Sequence, residues 1–338
     1  MKRQIKFVLY CTLAVFFIPF IITLILSGVG LEKDKIGLAL ASRFNGNNAK
    51  NSVVVNYSIG SEDMDMEEYI VGMLAPAYDY CDNSEFLKTM AVMCRTYMTY
   101  CNENNRKSDA VFYSDLQLKE RWGEEWSAKK AALIVAAQQT KGVVITCDGN
   151  AIYPYSHELT SGYTRNLREN CKYLCEVEQT YDSTDEEYIS ICDYTEKEFA
   201  AIVRKNLENL YFDDRYPARQ LQIVEKTTGG YVVLIQVGNM VIDGDTFAGI
   251  LNLASPSFIF QETGDGIRFT VKGRGNGYGL SIAGARQKAA AGESYQEILN
   301  YYFENIVCIL CVAILLSRVK ELYRKTVWFL YNSGKLIM

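Results

Sequence analysis

The apolar and polar positions of this chain change period several times, and each change marks an element. Residues 7–30, Phe7 to Gly30, are 24 positions without a charge. That is long enough for a tilted membrane helix. From Met66 to Ala75 apolar residues recur at helical spacing, and Pro76 interrupts them. Tyr78 to Asn83 reads as a polar loop. Ser84 is placed to cap a helix from Glu85 to Cys101, in which Phe86, Met90, Met93 and Tyr97 follow a period near 3.6. Ser127 to Lys141 is a further amphipathic helix, with Gly142 at its stop. The period then falls to two. Val143–Cys147 and Ala151–Tyr153 flank Asp148-Gly-Asn150 as a hairpin. Ser52–Tyr57, Gln220–Glu225, Tyr231–Val237 and Ile267–Lys272 read as strands, and 196–211 and 281–304 as helices. Helices mixed with short hairpins predict an α+β body, not a doubly wound sheet.

The flanks set the domain plan. Lys2, Arg3 and Lys6 precede the apolar run, so residues 1–6 are expected in the cytoplasm, 7–30 as an uncleaved single-pass membrane anchor, and the body outside. Residues 31–50 read as a polar stalk and 51–305 as the folded domain. The end is ambiguous. Ile306 to Leu316 is uncharged but only 11 residues long, and a basic stretch comes after it. A packed terminal helix, an interfacial helix and a re-framed tail all fit residues 306–338.

Charge and composition narrow the function. The net charge of −5 argues against a broad nucleic-acid footprint and does not hinder binding an uncharged sugar polymer. The 24 tyrosines suit sugar stacking and equally suit sheets and wet surfaces, whereas there is one histidine. Ten cysteines, with no CxxC pair in the body, do not make a disulfide scaffold.

Four stretches carry a family resemblance. They are Glu67 to Ala75 with Phe86 to Tyr97; Ala136 to Thr146 with Asp148-Gly-Asn150; Tyr155 to Asn166 with Tyr173 to Glu178; and Gly273 to Ala285 with Ser294 to Tyr302. In this order, over about residues 51–305, they resemble the SpoIID/amidase-enhancer family. The resemblance implies a fold of mixed helices and short antiparallel strands that forms a glycan groove. It also implies the activity of a lytic transglycosylase, which cleaves peptidoglycan glycan strands between N-acetylmuramic acid and N-acetylglucosamine during engulfment in sporulation. The implied partners are those strands and an amidase or other wall-remodelling membrane protein.

That chemistry needs one carboxylic acid, which protonates the leaving oxygen and then helps the sugar's own 6-hydroxyl close an anhydro ring. At the position matching the family's glutamate this chain has Ala77. The resemblance therefore points to a non-catalytic or degenerate glycan binder, with a displaced carboxylate such as Asp79 as the alternative for an active enzyme. Lys88 and Arg95, seven apart on one helix face, are candidates for sugar hydroxyls or the lactyl carboxylate, or else form a salt-bridged face. Thr160, Ser161, Gly162 and Arg165 bring hydroxyls, a turn and a guanidinium together. Gly275, Asn276, Gly277 and Ser281 belong to a Gly ladder that allows close backbone approach; its spacing is not the dinucleotide fingerprint. The family usually has His and Gln where this chain has Asn276 and Ile282. His157, which matches a family His, with Cys171 and Cys175 is a candidate zinc set. A disulfide, buried thiols or a structural histidine are the other readings of those residues.

Overall fold

A computed structural model describes residues 52–57, 60–167, 171–213 and 215–310. The expected anchor, the whole stalk and the chain after Leu310 lie outside them. Among the described residues no helix is long and apolar enough to cross a membrane.

The elements run β1 (Ser52–Tyr57), β2 (Gly60–Asp65), α1 (Met66–Met73), α2 (Ala75–Tyr80), α3 (Ser84–Glu103), α4 (Asp115–Trp122), α5 (Trp126–Gln139), β3 (Val143–Cys147), β4 (Asn150–Ala151) and β5 (Ser156–His157). Next come β6 (Ile189–Thr195), α6 (Glu196–Asn206), β7 (Leu221–Lys226), β8 (Val232–Val237), β9 (Met240–Asp243), α7 (Gly244–Ile250), β10 (Phe258–Glu262) and β11 (Gly266–Lys272). The series ends with β12 (Leu280–Ser281), α8 (Ile282–Ala290), α9 (Tyr295–Tyr302) and β13 (Val307–Leu310). Helices with small, mostly antiparallel sheets make this a mixed α+β fold.

The differences from expectation have local causes. Tyr78–Tyr80 are helical because Pro76 sits in the first turn of α2, where its missing N–H is not needed. Asn83, not Ser84, caps α3: its side chain accepts from the N–H groups of Glu85 at 2.9 Å and Phe86 at 3.3 Å. The hairpin turn is Asp148-Gly149, both at positive φ, so Asn150 already belongs to β4. The helix expected over 281–304 is two, because Ser294 opens a new capping box with Glu297. The start of the expected tail is neither helix nor re-framed end. Val307–Leu310 pairs antiparallel with Val143–Thr146 and covers the open edge of β3.

Two hydrophobic clusters divide the body. One packs α1–α5 and β3 against Leu280, Ala285, Ile298, Leu299, Tyr302 and Phe303. The other gathers Phe199, Phe247, Phe258 and Phe269 with Val232, Ile235 and Val271 between α6, α7 and the strands β7, β8, β10 and β11. In the first cluster Arg95 is fully buried. Its Nε and Nη2 donate to the two carboxylate oxygens of Glu67 at 2.9 and 2.7 Å, and its Nη1 and Nη2 also reach the carbonyls of Val143 and Ala137 at 3.1 Å. Glu67 further accepts from the N–H of Gly142. Arg95 is thus committed to holding α1, α3, the end of α5 and the start of β3 together. The expectation that it meets a sugar is corrected: each of its three nitrogens is engaged inside the protein.

Removing one partner of a buried ion pair strands the other. Glu67→Ala leaves the guanidinium without a counter-charge and is expected to cost about 3 kcal/mol. Arg95→Met is expected to cost less, because Glu67, 23% exposed, can turn to water. Urea unfolding of the two variants, read by circular dichroism, checks that order.

Candidate functional site

The third and fourth sequence motifs come together in space. β5 pairs in parallel with β12, placing Ser156 opposite Leu280 and His157 opposite Ser281. Leu159 bridges Arg274, and Arg165 bridges Tyr278. Thr160, Ser161, Gly162 and Arg165 therefore lie beside Gly275, Asn276, Gly277 and Ser281. Two glycines show why the ladder is glycine. A Cβ on Gly277, at φ 79°, would strike the ring of Tyr231, and one on Gly275, at φ 99°, would come within 2.7 Å of the Cβ of His157.

The polar groups of this cluster mostly turn inward. The carboxylate of Asp182, 1% exposed, is the hub. Its Oδ2 accepts from the N–H of Thr160 at 2.7 Å, the hydroxyl of Thr160 at 2.9 Å and the hydroxyl of Ser281 at 2.7 Å. Ser281 also caps α8 by accepting from the N–H of Gly284. Ser161 donates its N–H to the hydroxyl of Tyr231 and its own hydroxyl to the carbonyl of Gly229. Arg165 makes a bidentate pair with Asp245 at 2.8 and 2.9 Å, donates to the carbonyl of Asn276, and lies between the rings of Tyr231 and Tyr278. Asn276 is exposed and uses its side-chain oxygen to accept from the N–H of Tyr278. Gly162 has open space at its Cβ position. Sequence reasoning missed Asp182, Tyr231 and Asp245. No spacing links them to their partners, which lie 22 to 99 residues away in the chain.

Ala77 is on α2 and is 7% exposed. A methyl group there offers no proton. The carboxylate two residues on is occupied. Asp79 accepts from Arg121 Nε at 2.7 Å and from the indole N–H of Trp122 at 2.8 Å, so both its oxygens are engaged on the side of α4. Lys88 pairs with Glu85 at 2.6 Å, and Glu85 in turn accepts from the N–H of Tyr295 at the start of α9.

The end of α2 meets the third motif. Tyr80 is raised in pKa, first by burial and then by the neighbouring charge of Glu158. Arg274 spans Glu158 at 3.3 Å and Glu187 at 3.0 Å. A cavity of about 350 Å³ is lined by Tyr181, Thr184, Asp185, Glu187, Ala283 and Arg286 among others. This surface of paired charges and hydroxyls can hydrogen-bond a polar ligand, but its arginines already sit against carboxylates.

The candidate zinc set does not assemble. His157 places Nδ1 at 3.0 Å from the carbonyl of Tyr278, and Cys175 donates its thiol to the carbonyl of Tyr302. Among the described residues no three His, Cys, Asp or Glu side chains converge as metal ligands. His157 is instead a buried neutral imidazole, its pKa lowered from 6.5 to about 4 by desolvation.

The family described as stage II sporulation protein, SpoIID, has a model that matches residues 58–147, the stretch carrying α1–α5, Ala77, Lys88 and Arg95. In sequence the chain is similar to SpoIID proteins. It is 25% identical over 260 residues to stage II sporulation protein D of Bacillus subtilis (strain 168), a match that covers 72% of this chain and 74% of that protein. It is 25% identical over 268 residues to stage II sporulation protein D of Bacillus amyloliquefaciens, covering 74% and 75%. The resemblance read from the four motifs is thus borne out.

Two titrations test the electrostatics. His157 is the chain's one histidine, so a single imidazole resonance followed by proton NMR is expected to titrate near pH 4, not 6.5. Because the folded pKa is depressed, the stability tied to this group is present above pH 6.5 and lost as pH falls toward 4, roughly 3 kcal/mol in all. Asp182 runs the other way. Burial raises its carboxyl above 3.8, so its contribution is full below that value and is lost as pH rises through the raised native pKa. Thermal melts of Asp182→Asn across acid to neutral pH are expected to lack that downward component.

Proposed function

We propose that this chain is a membrane-anchored, extracytoplasmic protein that grips peptidoglycan glycan strands during the wall remodelling of sporulation and does not cleave them. The sporulation setting rests on the name of the relatives, and the glycan substrate on the motif resemblance. The anchor rests on the uncharged run at residues 7–30. An amidase or another wall-remodelling membrane protein is the protein partner this setting suits.

One observation carries the non-cleaving part of the reading. The position of the family's proton donor is a nearly buried alanine, and Asp79, the nearest carboxylate in sequence, accepts hydrogen bonds from Arg121 and Trp122 on both oxygens. Protonating a glycosidic oxygen needs an acid poised within hydrogen-bond reach of it. Misplacement by 1 Å alone costs about 100-fold in rate.

The test is digestion of peptide-free glycan strands with the purified body. Strands are expected to be retained on the protein with no anhydro-muramic ends released. Release that disappears in Asp79→Asn would establish the displaced-acid enzyme instead.

A further inference from the structure

A run of tyrosines crosses from α3 to the Gly ladder. The ring centroids of Tyr100 and Tyr153 are 5.4 Å apart, those of Tyr153 and Tyr155 4.6 Å, and those of Tyr155 and Tyr278 6.0 Å. Tyr97 joins the run from α3, 5.8 Å from Tyr153. Three separate segments supply these rings: the end of α3, the chain between β4 and β5, and the ladder before β12. Each of these rings is only partly buried, whereas a ring serving the core alone, such as Tyr302, is fully covered.

The hydroxyls separate the run into two kinds. Tyr97 gives its hydroxyl to Asp109. Tyr100, Tyr153, Tyr155 and Tyr278 make no side-chain hydrogen bond among the described residues, and none of their hydroxyls is a buried orphan. A partly exposed ring with an uncommitted phenol presents an apolar face and a donor at one end, the pairing that a sugar's C–H face and hydroxyls require. Two exposed cations stand at the α3 end of the track, beside the carboxylate of Asp109. Arg106 is exposed, and its guanidinium lies 5.7 Å from the centroid of Tyr100. Exposed Lys107 is next to it in the chain.

Building on the glycan-binding reading above, we infer that Tyr100, Tyr153, Tyr155 and Tyr278 form a stacking track for several successive sugar units, with Arg106 pairing with the lactyl carboxylate of a muramic residue at its α3 end. Number argues for a chain over a single sugar, because four contacting rings from three segments offer more apolar surface than one pyranose covers. Charge argues for a muramic unit at the Arg106 end. At the other end Arg165, under Tyr278, is already neutralised by Asp245.

The test titrates the folded body with two soluble probes: peptide-free muramic-containing glycan strands, and a neutral β-1,4-linked N-acetylglucosamine oligomer. Tyr100→Ala and Tyr278→Ala are each expected to weaken both probes about tenfold, in line with aromatic stacking of ring ligands, while Tyr100→Phe keeps most of the affinity. Arg106→Gln is expected to weaken only the muramic strands, with a loss that shrinks as salt rises. Thermal melts confirm that each variant is folded. Wild-type binding that both alanine variants leave within twofold overturns the track and leaves the glycan reading standing. A wild-type body that binds neither probe overturns both. Equal loss of both probes in Arg106→Gln overturns the carboxylate contact.

Discussion

The body is organised around a guanidinium that has no access to water. Arg95 lies inside the helical cluster, where an unpaired charge would be very costly, and Glu67 with two backbone carbonyls satisfies it. The forked geometry of arginine lets one side chain meet both carboxylate oxygens and still reach two other elements. Three stretches of chain that are distant in sequence, α1, α3 and the turn from α5 into β3, are thereby fixed in one arrangement. Position 77 sits on α2, immediately after the helix that supplies Glu67, so the clamp also sets where a residue at that position stands.

A second constraint lies between the helical cluster and the aromatic one. Asp182 draws Thr160 and Ser281 onto a single carboxylate oxygen, and Arg165 reaches across to Asp245 on α7. Three residues whose side chains looked suited to a ligand are used here to brace two loops against each other. The arrangement explains why hydroxyls and glycines alternate so densely in these loops. The chain segments approach closely enough that a Cβ at Gly277 would collide with Tyr231, and most polar groups left inside find a protein partner, although Asp182 Oδ1 and His157 Nε2 do not. The outer surface carries partly exposed aromatic rings, the exposed Asn276, and charges already paired with one another.

An alanine at position 77 is compatible with an intact fold because of where that residue lies. It packs among the buried apolar residues of the first cluster, and a methyl group fills that place without leaving an unsatisfied polar atom. The neighbouring carboxylate has a structural task, joining α2 to α4 through Arg121 and Trp122. Binding and cleavage are physically separable in a glycan-handling protein. Stacking and hydrogen bonding draw on many side chains, whereas proton transfer depends on one.

Much of the fold was legible in the chain itself. The 3.6-residue period of α3, the shift to alternation at Val143 and the Asp-Gly turn are local signals, and local hydrogen bonding enforces them. The family resemblance was legible for the same reason, since its motifs are short and contiguous. Other elements were not. α4 buries only Leu118 and Trp122, too few positions to register as a period, although Ser114 and Gln117 form its capping box. In sequence β13 merges with residues 311–316 into one apolar run, and only the open edge of β3 decides that it is a strand. The direction each candidate side chain takes was least legible of all. Sequence alone determined that Ala77 cannot donate a proton and that charge, hydroxyl and glycine recur at particular spacings. Tertiary structure decided that Arg95, Thr160 and Ser281 face inward and that tyrosines from three segments come into ring contact. Burial and partnership are properties of contacts between residues far apart in the chain, and no local pattern encodes them.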